Sequence, residues 1–320
     1  MSRQRDADRG FFILGYGRSG TTLFRRMLSA HPRLFVAPEA DIFQRLPPHM
    51  PQTITSAKEV DAILAKAPPY YARVYDLEGA AVSAKQALPI SRPAFFALLI
   101  RHARIAEGKA DPLWGHKMPS EWPYIDLWRR WYPQARFIHI VRHPQDAISS
   151  MVQYQLQRYR TTAVVGAWQW QKSFAEIRRQ AKLLGAERYR MVRYETLVAD
   201  PEAVLGEACD FLGVDKSFVP GMIDYKSDPS AAHVDGGEHM QQTHGALTTS
   251  RVGRSAETFS VRQMAFIDHI CRRCMKELEY GPRSDHRLSL LEKAGLETAS
   301  LGMDVAWAGI RAKRRMGGQL

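Results

Sequence analysis

The chain is poor in cysteine, with only Cys209, Cys271 and Cys274 among 320 residues. So low and odd a count argues against a disulfide framework and suits a reducing compartment. Cys271 and Cys274 form one C-x-x-C, and no second pair completes a zinc site, so they read as packing residues of a helix over Val261 to Leu278. Long apolar runs are lacking too. No stretch of 18 apolar residues is present to span a bilayer, and the first ten residues, MSRQRDADRG, are too charged for a signal peptide. The expectation is a cytoplasmic protein without a transmembrane segment.

What the chain does have is positive charge. Lys and Arg number 45 against 33 Asp and Glu, a net charge of +12. That balance suits an anionic partner such as nucleic acid, anionic lipid or a multiply charged nucleotide. No stacked-aromatic or recognition-helix motif supports nucleic acid, so none is expected as a partner.

Apolar strand-like runs alternate with helical periods. Phe11 to Leu14, Arg33 to Ala37, Pro112 to Trp122 ending in a loop, Ala135 to Val141 and Arg188 to Tyr194 read as strands. Helices follow near Ser56 to Ala67, Pro93 to Glu107, Gln145 to Gln157 and Ala163 to Leu184, the last closed by Gly185. Asp200-Pro201-Glu202 is a helix start, and Gly213 its end. The connection between the first strands and Pro93 is polar and proline-rich, with Pro47, Pro48, Pro51, Pro68 and Pro69. This order predicts an α/β fold: three layers, P-loop-like, a central mainly parallel sheet flanked by helices. Residues 1–10 read as a polar tail, 11–281 as the domain and 282–320 as a helical extension, with an amphipathic helix over Met303 to Met316. Lys226 to Phe259 has no clear period.

The first strand runs into GYGRSGTTL, residues Gly15 to Leu23. Gly15 to Gly20 has the G-x-x-x-x-G spacing of a phosphate-binding loop. The lysine and hydroxyl residue that complete an ATPase loop are replaced by Thr21 and Thr22, and the charge sits earlier, on Arg18. Backbone N–H groups at Ser19, Gly20, Thr21 and Thr22, with Arg18, can hold an oxyanion. The strand ARFIHIV ends in Arg142, not in the acid that holds Mg²⁺ in ATPases. Arg142, with Ser150 two helical turns on, marks a second anion site. A ligand with two anionic ends fits both.

These segments resemble the sulfotransferases that use 3′-phosphoadenosine-5′-phosphosulfate (PAPS). GRSGTTLFRRMLSAHP, from Gly17, looks like the loop for the 5′-phosphosulfate. FIHIVRHPQDAISSM looks like the 3′-phosphate segment, with Arg142 and Ser150 in the matching positions. VRYETLVADPEAVLGEACDFLGV is similar to the strand and helix near the nucleotide, which implies that Tyr194 lies close to the adenine. SRVGR, with Arg251, Gly253 and Arg254, resembles the late loop that closes over the nucleotide. Arg18 in the loop makes the chain most similar to the tyrosylprotein and related carbohydrate or bacterial enzymes. Glu39, twenty-one residues after Arg18, matches their general base, and Lys117 a lysine near the bridging oxygen or sulfuryl group.

The resemblance implies PAPS as co-substrate and in-line transfer of a sulfuryl group without metal, since that group is less charged than a γ-phosphate. The acceptor it implies bears a hydroxyl: a carbohydrate, a lipid-linked or small metabolite, or a peptide tyrosine. A homodimer is left open. His116 is the rival base, although one residue out of phase with Lys117 on a strand and so pointing the other way. His139, alternating in an apolar strand, reads as core, as do Trp168, Trp170 and Phe174. His233, His239 and His244 read as loop residues. The competing function is an ATP-dependent nucleotide or small-molecule kinase on the same loop, with a basic group replacing the missing lysine.

Overall fold

The computed structural model describes residues 10–39, 52–67, 75–106, 113–119, 121–155, 162–225 and 249–316. The N-terminal tail, the prolines Pro47, Pro48, Pro51, Pro68 and Pro69, and the segment bearing His233, His239 and His244 lie outside them.

Phe11–Gly15 is buried along its whole length and forms the central strand β1. Helix α1 (Thr21–Ser29) leads to β2 (Leu34–Ala37). A two-stranded ribbon, β3 (Thr53–Ile54) with β4 (Ile90–Ser91), brackets α2 (Ala57–Leu64) and α3 (Leu77–Gln86). Then follow α4 (Arg92–Ala106), β5 (Leu113–Lys117), α5 (Ile125–Trp131), β6 (Arg136–Val141), α6 (Pro144–Gln155), α7 (Ala163–Leu184) and β7 (Tyr189–Arg193). Helices α8 (Tyr194–Ala199), α9 (Pro201–Leu212), α10 (Val219–Ile223), α11 (Val261–Glu277) and α12 (Leu290–Met316) complete the described chain.

The main sheet has the order β2-β5-β1-β6-β7, and every neighbouring pair is parallel. The chain leaves β1 toward the β2 side and leaves β6 toward β7. The crevice beyond the carboxyl ends of β1 and β6 is therefore the switch point where open α/β sheets bind ligands.

Alternation along the strands splits the core into two layers. Phe12, Leu14, Phe35 and Trp114 pack against Phe95, Phe96 and Leu99 of α4 and Trp128 of α5. Phe11, Ile13, Val36, Ile138 and Ile140 pack against Phe24, Met27 and Leu28 of α1 and Leu205 and Leu212 of α9. A Cβ at Gly115 would fall 2.4 Å from the Phe11 ring, so the glycine makes room for it. A third cluster joins α6, α7 and α11, and holds Trp170, Phe174, Cys271 and Cys274. All three cysteines are free and buried.

Local chemistry sets the helix ends. Thr162 caps α7 by accepting from Val165 N–H, and Gly185 follows its last residue. Asp200 caps α9, Pro201 stands at its first position, and Gly213 ends it at φ 72°. The β3–β4 ribbon and the short helices α8 and α10 were not expected from the sequence, and two longer helices differ from expectation. Helix α3 falls where only a connection was expected, because its inward face is Ala80 and Ala84, which give little apolar period. Helix α12 begins at Leu290 instead of Met303, because Gly295 and Gly302 interrupt the pattern.

Candidate functional site

Strand β1 ends against β6: a Cβ at Gly15 would lie 2.6 Å from the Ile140 carbonyl oxygen. The loop then turns sharply, with Ser19 N–H donating to the Tyr16 carbonyl at 3.2 Å. Gly20 precedes α1 at φ 96°, and a Cβ there would lie 2.4 Å from the Tyr194 ring. Glycine is thus required twice, for the left-handed backbone and for the ring that covers the helix start. Helix α1 has no acidic residue in its first turn and no side-chain cap, so its N-terminal N–H groups and dipole stay available to an anion. Ser19 is fully buried, and its Oγ makes no hydrogen bond among the described residues. Thr21 is buried, Thr22, Leu23 and Gly17 half-buried.

Arg18 takes a left-handed backbone at φ 66°, uncommon for a residue with a side chain. Its Nε donates to Ser150 Oγ at 3.2 Å, and its guanidinium lies over the Tyr154 ring. Burial lowers the Arg18 pKa below the arginine range; Tyr154 opposes the shift, and Arg142 and Arg251 add to it. Three cationic side chains therefore converge at the switch point.

Arg142, just beyond β6, ties this region together. Its Nη1 donates to the Arg18 carbonyl at 3.2 Å and its Nη2 to the Arg251 carbonyl at 2.6 Å. The guanidinium lies 4.5 Å from the Tyr194 ring centroid. Its buried Nε makes no hydrogen bond among the described residues. The late segment is pinned by Asp146, which accepts from Gly253 N–H at 2.9 Å and from Arg283 at 2.8 Å. Gly253 is left-handed at φ 87°. Arg254 lies at the surface in a pair with Glu257 and does not join the other arginines.

A second group forms beside the loop. Lys117 ends β5, and its Nζ donates to Thr22 Oγ1 at 3.2 Å. The β2–β5 register sets Ala37 opposite His116, which carries Glu39 alongside Lys117. Glu39 Oε2 lies 3.6 Å from the Lys117 Nζ. His116, one residue earlier, points to the other face of the sheet, among Phe12, Phe96 and Trp128. Its Nε2 lies 3.9 Å from Glu121 Oε1.

Glu121 is a residue that sequence reasoning missed. It is fully buried at the turn after β5, and burial, then the Glu39 charge, pushes its pKa up to about 8. Both causes favour the neutral form of the Glu121 carboxyl. The only sequence signal was an acid set among apolar residues in MPSEWPYI. Asp146 and Glu195 were missed as well. Glu195 accepts from His143 N–H at 2.9 Å and from the Tyr280 hydroxyl at 2.6 Å, which holds the turn beyond Arg142. His139 is a core histidine, bonded to the Tyr189 hydroxyl at 2.8 Å and pushed down to about 3 by burial.

Comparison with known proteins follows the same geometry. A model of the Sulfotransferase family matches residues 10–218. The protein-tyrosine sulfotransferase of Drosophila melanogaster is 27% identical over 213 residues, 63% of this chain and 38% of that protein. The chain thus spans well under half the length of this curated relative. Among solved structures, the sulfotransferase domain of the Synechococcus PCC 7002 olefin synthase superposes with a TM-score of 0.66 at 24% identity, over 85% of this chain and 95% of its own. A mouse sulfotransferase in complex with PAP superposes with a TM-score of 0.50 at 12% identity, over 92% and 89% of the two chains. At these identities the structural likeness is one of fold.

Proposed function

The chain belongs to the sulfotransferase family, and from that premise we propose that it transfers a sulfuryl group from PAPS to an acceptor hydroxyl, with Glu39 as general base. One observation carries this reading. Two sets of anion donors stand at the carboxyl ends of neighbouring strands, joined by the Arg142–Arg18 bond, and an acid–lysine pair stands beside the first.

The donor set fits such a ligand. Buried Ser19 Oγ and Arg142 Nε both lack partners among the described residues, one in each anion site. The loop from Gly17 to Leu23, with Arg18, would hold the 5′-phosphosulfate. Arg142, Ser150, Arg251 and Gly253 would hold the 3′-phosphate, and Tyr194 would lie against the adenine. Arg254, paired with Glu257, would have to exchange that partner to take part. When bound, PAPS supplies an activated sulfuryl group on a phosphate leaving group.

The protein's own residues then have separable tasks. Arg18, Lys117 and the α1 N-terminus stabilise negative charge that grows on the leaving side. The Lys117–Thr22 bond fixes the ammonium at the loop. Glu39 accepts the acceptor's proton at a carboxylate oxygen. Sulfuryl transfer, like phosphoryl transfer, rests mainly on such positioning and neutralisation. The kinase alternative loses ground: Thr21 stands where its loop lysine would be, and the family is one of sulfotransferases.

A peptide tyrosine is one acceptor in this class, suggested by the name of the Drosophila relative. Among the described residues no helix is long and apolar enough to cross a membrane. The cytoplasm is our proposed location, on the strength of three free thiols. The test is transfer of label from [³⁵S]PAPS to hydroxyl-bearing acceptors in the presence of a chelator. Label should move with wild-type protein and not with Glu39→Gln; failure across carbohydrate, lipid and tyrosine acceptors alike counts against the reading.

A further inference from the structure

Helix α12 packs on the domain by one side only. Leu296 is buried, Asp304 accepts from the Trp168 indole at 2.7 Å and pairs with Lys172, and the Trp307 ring lies tilted against Trp122 with centroids 5.5 Å apart. The opposite side holds Leu290, Leu291, Ala294, Thr298, Leu301, Val305, Ala308 and Ala312, all exposed. At 3.6 residues per turn these share an arc of roughly 120° with no charged residue in it. Leu291, Leu301 and Val305 are 86%, 64% and 67% exposed. The Thr298 hydroxyl is satisfied within the helix, donating to the Ala294 carbonyl at 2.9 Å. So continuous an apolar stripe marks a contact surface.

The spacing says what kind. Leu291, Ala294, Thr298, Leu301, Val305, Ala308 and Ala312 alternate steps of three and four, the heptad seam of paired helices. Gly295, Gly302 and Gly309 recur every seven residues beside it, and among the described residues, the helix's own nearby backbone aside, nothing lies within 4 Å of a Cβ added at any of them. Glycine inside an exposed helix is unfavourable. A close approach by another backbone gives these three a reason.

We propose that this face of α12 joins two copies of the chain, with the helices antiparallel about a two-fold axis near residue 303. In that register Leu301 meets Val305 of the second copy, Thr298 meets Ala308, and Ala294 meets Ala312. Gly302 meets itself and Gly295 meets Gly309. On the flank, Glu297, which also pairs with Arg272 of its own chain at 2.9 Å, lies opposite Arg311 of the second copy, and Asp304, paired with Lys172 of its own chain, lies opposite itself; the Glu297–Arg311 pairing arises only in the antiparallel sense. Four large apolar side chains per copy, at roughly 60–120 Å² each, bury about 500–1,000 Å² over the two copies, below the ~1,200–2,000 Å² of standard interfaces before the alanines, glycines and Thr298 of the seam are added. A lipid surface would gain little from the glycines and alanines, since its affinity follows apolar area.

Sedimentation equilibrium of the full chain over about 1–100 µM tests this. Wild type should approach twice the 36.4 kDa chain mass. Gly302→Leu should be monomeric, with a Tm no lower than that of wild type diluted to its monomer, because a Cβ there meets none of the described residues. Arg311→Glu should weaken the dimer at least tenfold, and Glu297→Arg combined with Arg311→Glu should restore it. A wild type that stays monomeric, or a Gly302→Leu protein that still dimerises, overturns the proposal. Failure of the charge swap to restore pairing overturns the antiparallel register. Monomeric protein that binds phosphatidylserine vesicles, and loses this with Leu301→Glu, assigns the face to lipid and overturns it too.

Discussion

The Lys117 ammonium lies 3.2 Å from the Thr22 hydroxyl and 3.6 Å from the Glu39 carboxylate, bridging the loop and the acid beyond β2. Three separate elements therefore meet at one cation. In the proposed mechanism Glu39 serves proton transfer and not nucleotide binding. Glu39→Gln should lower kcat by ~10²–10⁴-fold and leave nucleotide affinity within a few-fold. Steady-state kinetics with a nucleotide titration separates the two, and normal turnover would transfer the base role to another group, with His116 the next to test.

Arg142 spends two N–H groups on backbone carbonyls and keeps a third buried, with no hydrogen bond among the described residues. Charged hydrogen bonds contribute about 1.5–3 kcal/mol each, roughly 10–150-fold in affinity. Arg142→Ala should lose that much for a 3′-phosphorylated nucleotide and almost nothing for one without the 3′-phosphate. Equal loss for both would make Arg142 a structural tie alone.

Glu121 links stability to pH. Its folded pKa is raised to about 8 from a usual 4.5. The folded state therefore holds the proton more tightly, and its stabilising effect is complete below the unfolded value. That contribution is lost as pH rises from about 4.5 through about 8. Glu121→Gln keeps the neutral form at every pH. Its Tm should match wild type near pH 4.5 and exceed it by a margin that widens toward pH 8, visible in calorimetric melts. Parallel curves for the two proteins would mean that Glu121 is ionised in the fold.

Two glycines provide a matched pair. Gly20 is left-handed and a Cβ added there would lie 2.4 Å from the Tyr194 ring, whereas a Cβ at Gly206, inside α9, meets nothing within 4 Å among the described residues. Gly20→Ala should destabilise by about 1–3 kcal/mol and abolish nucleotide binding. Gly206→Ala should stabilise by about 0.5–1 kcal/mol and leave binding intact. Denaturant melts with and without nucleotide read both.

Much of this was legible in the sequence where local chemistry decides. The apolar run of β1, the Asp200-Pro201 helix start and the Gly185 stop follow from rules that act over a few residues. The opposed directions of His116 and Lys117 follow from strand alternation alone. The meeting of Glu39 with Lys117 rests on the parallel register of β2 with β5, which family resemblance could imply and local pattern could not. Glu121 escaped notice because its burial is made by Trp128 and its neighbours after folding. Arg254 was grouped with Arg251, yet it pairs with Glu257 at the surface, since two arginines three residues apart can face differently in a short helical turn. Helices α3 and α12 were missed or shortened where alanine and glycine carry the pattern.

The central claim is that the loop at Arg18 and the arginine at 142 together hold one nucleotide with two anionic ends. Isothermal titration of the purified chain with 3′-phosphoadenosine-5′-phosphate, and in parallel with ATP with and without Mg²⁺, tests it most directly. The account predicts tight binding of the 3′-phosphorylated nucleotide, unchanged by a chelator, and weak binding of ATP. Binding of ATP that requires Mg²⁺, with none of the 3′-phosphorylated nucleotide, would contradict it.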